Sequence, residues 1–214
     1  LSTTQSFTML AIPLFIFAGN LMNNTGITTR LIKLANVLTG HMYGSIGQVS
    51  VVLSTLMGGV SGSAVADAAM ECRILGPEMT KRGYAPGWAA AVNCLTGLIV
   101  ATIPPSMGLI LYGTVGEVSI GRLFVAGFVP GIIMCIFMMI ATSWSARHLG
   151  YQPDHKKPSS FHEIVKCCVE SIWALLFPIL LIVLIRFGVM TPSESGAFAV
   201  FYALIVGAFI YKEL

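Results

Sequence analysis

Two serines, three glycines and an aspartate occur together in the segment GGVSGSAVAD, Gly58–Asp67, where an apolar helix would be expected to continue. The glycines permit a tight turn and a close approach of the backbone. One helix is expected to end here and another to begin, which brings unpaired carbonyl and N–H groups together. The residues at this predicted tip are Ser61, Gly62 and Ser63. Carbonyl oxygens and the hydroxyls of Ser61 and Ser63 can bind a sodium ion there, and the start of the second helix can attract an anion.

A packing role is the alternative for the same residues. Glycines let membrane helices approach closely, and serine hydroxyls bond back to carbonyls of their own helix. Paired interruptions near the middle of the bilayer are the sequence pointer to a transporter's binding site. Because the interruption, the hydroxyls and the glycines coincide within a few residues, we predict an ion- or substrate-binding tip.

Two further polar residues are candidates for the same site. Asp67, about one turn beyond the tip, can help to hold sodium, interact with the helix N-terminus or form a salt bridge to Arg73. The helix-terminus role is sufficient to explain it. Asn93, in the middle of the next helix, can reach the hairpin or bond a neighbouring helix. The sequence leaves these alternatives open.

A second interruption is predicted in ATIPPSMG, at positions 101–108. Pro104 and Pro105 lack N–H groups, so the carbonyls four positions earlier lose their helical donors. Ser106 is expected to cap the helix that begins after the break. A proline can also kink a helix for packing alone. The residues assigned to this second part of the site are Val100, Ala101, Thr102, Pro104, Pro105 and Ser106.

The composition indicates a membrane protein. Of the 214 residues, 56% are hydrophobic and 10% are charged, whereas about a quarter of the residues in a soluble domain are charged. Stretches without charge at 123–146, 171–185 and 195–211 approach or reach the roughly 17 to 25 residues of a membrane-spanning helix. We predict an all-α polytopic membrane protein in a lipid bilayer.

No pattern typical of an enzyme is present in the sequence. The five cysteines lack the spacing of a metal site, and no histidine pairs with a nucleophile at a recognisable spacing. The net charge of +3 gives no reason to expect a nucleic-acid partner. We therefore predict a protein that is not an enzyme and has no organic cofactor.

The placement of charge predicts the topology. Four charged residues on the return helix of the hairpin would be costly against lipid, so the hairpin is expected to enter and leave the membrane on one face, with a buried tip. With the basic clusters on the cytoplasmic side, only Arg122 and Arg186 of the twelve basic residues fall outside, in agreement with the positive-inside rule. The predicted segments are a scaffold helix and an amphipathic connecting helix at 1–43, a re-entrant hairpin at 44–82, a broken transmembrane helix and interfacial segment at 83–127, and three further transmembrane helices at 128–214 with a basic cytoplasmic loop at about 147–168.

Six segments resemble one known family, the large membrane subunit (DctM-like) of tripartite ATP-independent periplasmic (TRAP) transporters. They are LAIPLFIFAGNLM at 10–22, GGVSGSAVADAAM at 58–70, MTKRGY at 79–84, IPPSMGLILYG at 103–113, FVAGFVPGI at 124–132 and TPSESGAFAV at 191–200. The resemblance implies a sodium-coupled importer of organic acids such as C4-dicarboxylates, sialic acid or sugar acids in the bacterial inner membrane. It also implies two partners, a periplasmic substrate-binding protein and a small four-helix membrane subunit.

The same resemblance implies an elevator-type fold built from two inverted repeats, each with a re-entrant hairpin and a broken helix. By position, the Ser61–Ser63 tip matches the first hairpin, and Pro104, Pro105 and Ser106 match the first broken helix. In the family these elements surround one sodium site and part of the substrate site.

The length departs from the family pattern. The chain is about half as long as the family's large subunit, and its one hairpin and one prolyl break correspond to a single repeat, whereas alternating access needs two. It opens on LSTTQS, which resembles no signal peptide, and the family's first helix is missing before it. We expect the chain to be the first repeat of a longer protein, unable to transport alone.

Two other functions are compatible with the same residues. One is a stand-alone sodium/organic-anion symporter that needs no binding protein, because its hairpin chemistry would be identical. The other is a structural or truncated subunit, in which the tip is only a packing device.

Overall fold

The computed structural model describes residues 10–58, 62–154 and 160–211, and every regular element in this part of the chain is helical. The elements are α1 (Ala11–Asn24), α2 (Ile27–Thr39), α3 (Ser45–Gly58), α4 (Ala64–Lys81), α5 (Pro86–Thr102), α6 (Met107–Val115), α7 (Ile120–His148), α8 (Phe161–Glu170), α9 (Ile172–Arg186), α10 (Pro192–Ile205) and a π-helical segment at Val206–Tyr211.

The helix starts follow local capping chemistry. Pro86 is the first residue of α5, where its fixed φ suits a helix and its missing N–H leaves no extra donor unpaired. At α10, the Thr191 hydroxyl accepts from the Glu194 amide, and the Glu194 carboxylate accepts from the Thr191 amide at 2.7 Å. This reciprocal capping satisfies two of the amides that every helix start leaves unpaired.

Apolar helices long enough to cross a membrane are present in the described residues. By length and composition, α7 and the segment Ser193–Tyr211 each qualify by themselves. Two bent pairs, α5 with α6 at 44° and α8 with α9 at 63°, qualify when each pair is taken as one span. Large apolar side chains of α7 such as Phe137 and Trp144 are exposed on the surface. The protein is therefore an integral membrane protein of apolar helices.

Helices α3 and α4, which we call the hairpin, pack along α5, the first part of the broken helix α5–α6. A hydrogen bond joins Ser54 to Glu71, 17 residues apart, so the chain turns back on itself between these helices. Gly97 of α5 faces the first turn of α4, where an added Cβ would lie 3.0 Å from the Ala64 carbonyl oxygen. The hairpin and the broken helix thus share one closely packed interface.

Helix α7 packs against both α3 and α5. The Gln48 amide donates to the Met139 carbonyl at 2.8 Å and to the Ser143 hydroxyl at 2.9 Å. A Cβ on Gly127 would lie 2.6 Å from the Thr102 carbonyl oxygen. Because α7 has no side chain at that point, it can lie directly against the end of α5.

An aromatic cluster anchors the turn between α4 and α5. The rings of Tyr84, Trp88 and Tyr151 lie 4.4–5.3 Å apart between centroids, and the Tyr151 hydroxyl accepts from the Ala85 amide at 2.9 Å. Burial raises the pKa of the Tyr84 hydroxyl. The neighbouring Arg82 guanidinium pairs with Glu78 and with Asp154. The base of the hairpin is therefore tied to the segment that follows α7.

Among the remaining helices, α2 packs directly on the hairpin, through α3. Helix α1 packs mainly against α10, and α2 lies between α3 and α8. The Arg30 guanidinium lies 3.7 Å from the centre of the Tyr211 ring, and the Ser171 hydroxyl donates to the Arg30 carbonyl at 3.3 Å. These contacts join α2 to the two C-terminal spans.

One predicted boundary needs correction. The basic loop expected at about 147–168 contains the start of α8, which runs from Phe161 to Glu170. The physical reason is a capping box, in which the Glu163 carboxylate accepts from the Ser160 amide at 3.2 Å and the Ser160 side chain accepts in return from the third residue of the helix. A segment whose basic residues suggest a loop can still form a helix when its first turn is capped in this way.

The close contact between α7 and α5 leads to a stability prediction. Gly127→Ala should lower the free energy of unfolding by about 1–3 kcal/mol, because the new methyl group meets the Thr102 carbonyl and backbone must shift. The measurement is the apparent Tm of the purified natural protein in detergent. Gly76→Ala is the matched control, since a Cβ on Gly76 has nothing within 4 Å. An equal Tm for both variants would contradict the packing described.

Candidate functional site

The two interruptions touch each other. The Met107 amide, in the first residue of α6, donates to the Gly62 carbonyl at 3.2 Å. Gly62 has a φ of +62°, and a Cβ on it would lie 2.6 Å from the Pro105 carbonyl oxygen. Both the conformation and the space at this position require glycine. The hairpin tip therefore rests directly on the prolyl break.

Four helix ends meet at this contact. Gly58, the last residue of α3, lies against the end of α5, with a Cβ position 3.0 Å from Ile103 Cβ and 3.3 Å from Val100 Cα. The starts of α4 and α6 are joined by the bond between Gly62 and Met107. Two carboxyl-terminal ends, which carry partial negative charge, and two amino-terminal ends, which carry partial positive charge, thus lie side by side. Such an arrangement can attract a cation and an anion at adjacent positions.

The predicted sodium ligands of the tip are only partly described. Ser63 is the N-cap of α4, and its hydroxyl accepts from the Ala66 amide at 3.4 Å. Ser63 thus bonds to its own helix, as in the packing alternative for the tip serines, although its partner is an amide and its role is that of a helix cap. Ser61 lies outside the described residues, together with Gly59 and Val60. Sodium binding by Ser61 and Ser63 remains a prediction.

The prolyl break differs from the prediction in its hydrogen bonds. Ser106 is the N-cap of α6, but its buried hydroxyl makes no cap bond and donates instead to the Ala101 carbonyl at 2.7 Å. The Thr102 hydroxyl donates to the Leu98 carbonyl of its own helix at 2.9 Å. The prediction that the Ser106 side chain caps α6 is therefore wrong. Pro105 leaves the Ala101 carbonyl without a helical donor, and a buried carbonyl needs a hydrogen bond, which the Ser106 hydroxyl supplies. Pro104 likewise removes the donor for the Val100 carbonyl, and the Pro104–Pro105 peptide is cis.

The two polar residues assigned with the site lie in different places. Asp67 is fully buried in the first turn of α4, and its amide donates to the Ser63 carbonyl at 3.0 Å. Asn93 is buried in α5, and its amide nitrogen lies 4.0 Å from the sulfur of Met79, in the last turns of α4. Met79 follows Ser63 by 16 helical residues, or about 24 Å along the axis. Asp67 is thus near the tip, whereas Asn93 contacts the hairpin near its base.

A buried polar cluster was missed by the sequence reasoning. The carboxylate of Glu71, which is 0% exposed, accepts from the hydroxyls of Ser50 at 2.6 Å and Thr96 at 3.0 Å, and also from Ser54. The signal was available, because a glutamate on a helix expected within the membrane is a candidate functional residue by itself. The partners were not predictable, since their hydroxyls come from two other helices.

An apolar cavity of about 400 Å³ lies beside the break, between α3, α7 and α9. Its wall includes Thr55, Ile103, Pro104 and Phe128, and it is almost entirely apolar. An organic anion needs hydrogen-bond donors or positive charge. The cavity does not supply these groups, so the tip and the break are the better candidate for an anion site.

The comparisons with known proteins identify the family of the chain. The family described as "Tripartite ATP-independent periplasmic transporter, DctM component" matches residues 1–214. The chain belongs to this DctM family. A putative TRAP transporter large permease protein of Haemophilus influenzae is 40% identical over 213 residues, which cover 100% of the chain and 50% of that protein.

Relatives with a named solute show the same extent of similarity. The 2,3-diketo-L-gulonate TRAP transporter large permease protein YiaN of Escherichia coli is 40% identical over 210 residues, or 98% of the chain and 49% of YiaN. The sialic acid TRAP transporter large permease protein SiaM of Vibrio cholerae is 37% identical over 210 residues, with the same shares. The DctM chain described here thus spans about half the length of these curated relatives.

The contact between tip and break can be tested by hydrogen exchange. Gly62→Ala should accelerate exchange of the Met107 amide by about tenfold or more, because the added methyl group cannot fit against Pro105 and the bond to Gly62 is lost. The measurement is exchange mass spectrometry of peptides that cover the first turn of α6.

Gly83→Ala is the matched control for this experiment. Gly83 also has a positive φ, +85°, but a Cβ there has nothing within 4 Å. Gly83→Ala therefore introduces the conformational strain without the steric clash. It should leave the exchange rate of the Met107 amide unchanged. Equal exchange in the two variants would show that the tip does not rest on the break.

Proposed function

We propose that this DctM-family chain is part of the membrane permease subunit of a sodium-coupled TRAP importer of organic acids. The observation that supports the proposal most directly is the meeting of four helix ends where Gly62 rests on the prolyl break. Carbonyl-rich helix ends suit a sodium ion, and the paired helix starts suit a carboxylate. Both ligands would then occupy adjacent positions without covalent chemistry.

The proposed site has a cation side and an anion side. On the cation side are the carbonyls at the ends of α3 and α5, including that of Val100, together with the hydroxyls of Ser61 and Ser63. On the anion side are the first turns of α4 and α6. Three relatives carry an organic acid in their names, as 2,3-diketo-L-gulonate, sialic acid or isethionate, which supports an organic anion as the solute here.

In this proposal sodium acts as the coupling ion. Binding of sodium at the tip would pre-organise the starts of α4 and α6 for the solute. Each sodium ion that moves inward across 100 mV contributes about 2.3 kcal/mol to solute uptake. The chain needs no organic cofactor for this function.

The proposed assembly has further parts. The permease would lie in the bacterial inner membrane and receive solute from a periplasmic binding protein, with a small four-helix membrane subunit beside it. Elevator transport would need a second, inverted copy of the hairpin and broken helix. A complete subunit of twice this length, as in the relatives, has room for that copy.

Uptake in liposomes tests the proposed function. The complete permease, with its small subunit, is reconstituted with an inward sodium gradient and labelled organic acids, with and without the binding protein. Uptake that requires both sodium and the binding protein is the expected result. Uptake with sodium alone would identify a stand-alone symporter, and no uptake under any condition would favour a structural subunit.

The tip hydroxyls should affect sodium binding more than folding. We expect Ser61→Ala and Ser63→Ala each to raise the sodium concentration for half-maximal uptake by about tenfold, because each removes one oxygen ligand. The measurement is the initial rate of uptake as a function of sodium concentration.

Ser160→Ala provides a matched control, because Ser160 is also the N-cap of a helix but lies at α8. Loss of a cap typically costs about 0.5–2 kcal/mol, so Ser63→Ala and Ser160→Ala should change the Tm to a similar extent. Unchanged sodium dependence in both tip variants would remove these hydroxyls from the site.

A further inference from the structure

Glu71 lies at the centre of a hydroxyl cluster that joins three helices. Its carboxylate is on α4, Ser50 and Ser54 are on α3, and Thr96 is on α5. The Ser50 and Thr96 hydroxyl oxygens also lie 3.2 Å apart, so both hydroxyls meet at the same carboxylate oxygen. One carboxylate therefore connects both arms of the hairpin to the broken helix.

The cluster lies about two helical turns from the tip. Glu71 follows Ser63 by eight helical residues, or about 12 Å, and Thr96 precedes Thr102 by six, or about 9 Å. Between these points, α4 and α5 remain in close contact, because a Cβ on Gly97 would lie only 3.0 Å from the Ala64 carbonyl oxygen. A shift of α4 at the cluster would thus be transmitted to the tip.

The chemistry of the cluster favours positioning over simple stability. In the described part of the chain, Glu71 contacts hydroxyl groups and forms no ion pair with a basic side chain. Burial of a carboxylate is costly, and an apolar side chain of similar size commonly stabilises a fold more. Directional hydrogen bonds do fix register, however, because a slip of one residue rotates a helix by about 100° and breaks every bond. The carboxylate specifies how α4 sits against α3 and α5.

We propose that Glu71 is a positioning residue, which holds the hairpin tip on the prolyl break through its bonds to Ser50, Ser54 and Thr96. This inference rests on the proposed function, since the tip and the break are the candidate sodium and solute site. Glu71 itself touches neither ligand. Its effect on sodium binding would be exerted through the position of the tip.

Glu71→Gln is the main test variant. The side-chain amide keeps the size of glutamate, but its NH₂ group faces a hydroxyl that now donates to the carboxylate. We expect the sodium concentration for half-maximal uptake to rise by about tenfold, the change that corresponds to loss of one charge-assisted hydrogen bond. Glu78→Gln is the control, because Glu78 is on the same helix in a partly exposed pair with Arg82, and we expect no change in sodium dependence.

Ser54→Ala is a second variant in case Glu71→Gln fails to fold. It removes one hydroxyl and leaves the carboxylate with two partners, so a smaller rise of about threefold is expected. In the double variant, the two effects should be less than additive, because both changes act on one network. A purely structural role would lower the Tm or the yield while leaving the sodium dependence unchanged in both variants, and this outcome would overturn the inference.

Hydrogen exchange separates this inference from the proposed function. If Glu71 positions the tip, Glu71→Gln should accelerate exchange of the Met107 amide, whose acceptor is the Gly62 carbonyl. This readout requires no transport. Faster exchange without any sodium-dependent uptake by the unmodified protein would contradict only the proposed function, whereas unchanged exchange would contradict the positioning role.

Discussion

A helix that is interrupted within a membrane must satisfy its backbone polar groups from inside the protein, because lipid offers no hydrogen bonds. The structure meets this constraint with groups from the interruptions themselves. The Gly62 carbonyl accepts from Met107, and the Ala101 carbonyl accepts from the Ser106 hydroxyl. Each interruption thus depends on local or neighbouring polar groups, and the packing of α3, α4, α5 and α7 serves to keep the two interruptions in contact.

The surrounding helices divide this task. Helix α7 supports the broken helix from one side, with glycine at Gly127 and polar contacts to Gln48. The aromatic cluster of Tyr84, Trp88 and Tyr151 holds the opposite end of the hairpin, where α4 turns into α5. The position of the tip is therefore fixed by the α4–α5 turn at the far end of the hairpin and by the packing of α7 on the broken helix. Helix α2 packs on α3 and joins the hairpin to the C-terminal spans through Arg30 and Tyr211, whereas α1 packs mainly on α10.

The hairpin buries two carboxyl groups, and the burial of Glu71 can be explained by the hydrogen bonds around it. The return helix carries two carboxylates that are fully buried, Asp67 near the tip and Glu71 farther along. Charge in such a place is costly and is retained where it performs a function. Three hydroxyls from neighbouring helices offset part of the cost at Glu71, and the same bonds define how the helices lie against one another. The same hydrogen bonds thus make the buried carboxylate tolerable and fix the packing of α4 against α3 and α5.

The sequence alone was sufficient for the membrane character, the DctM resemblance and the position of both interruptions, since these depend on composition, on motifs and on the missing N–H groups of Pro104 and Pro105. Only the tertiary structure decided which groups meet. The partner of Ser106, the contact between Gly62 and Met107, and the hydroxyl cluster around Glu71 all depend on how helices pack. Ser50 and Thr96 are 46 residues apart in the chain, and no local rule relates them. Helix α8 was not predicted, because the lysines before and within it indicated a loop, although its capping residues are local. Local backbone chemistry is readable from residue order, whereas the approach of distant helices is set by side-chain packing across the whole fold.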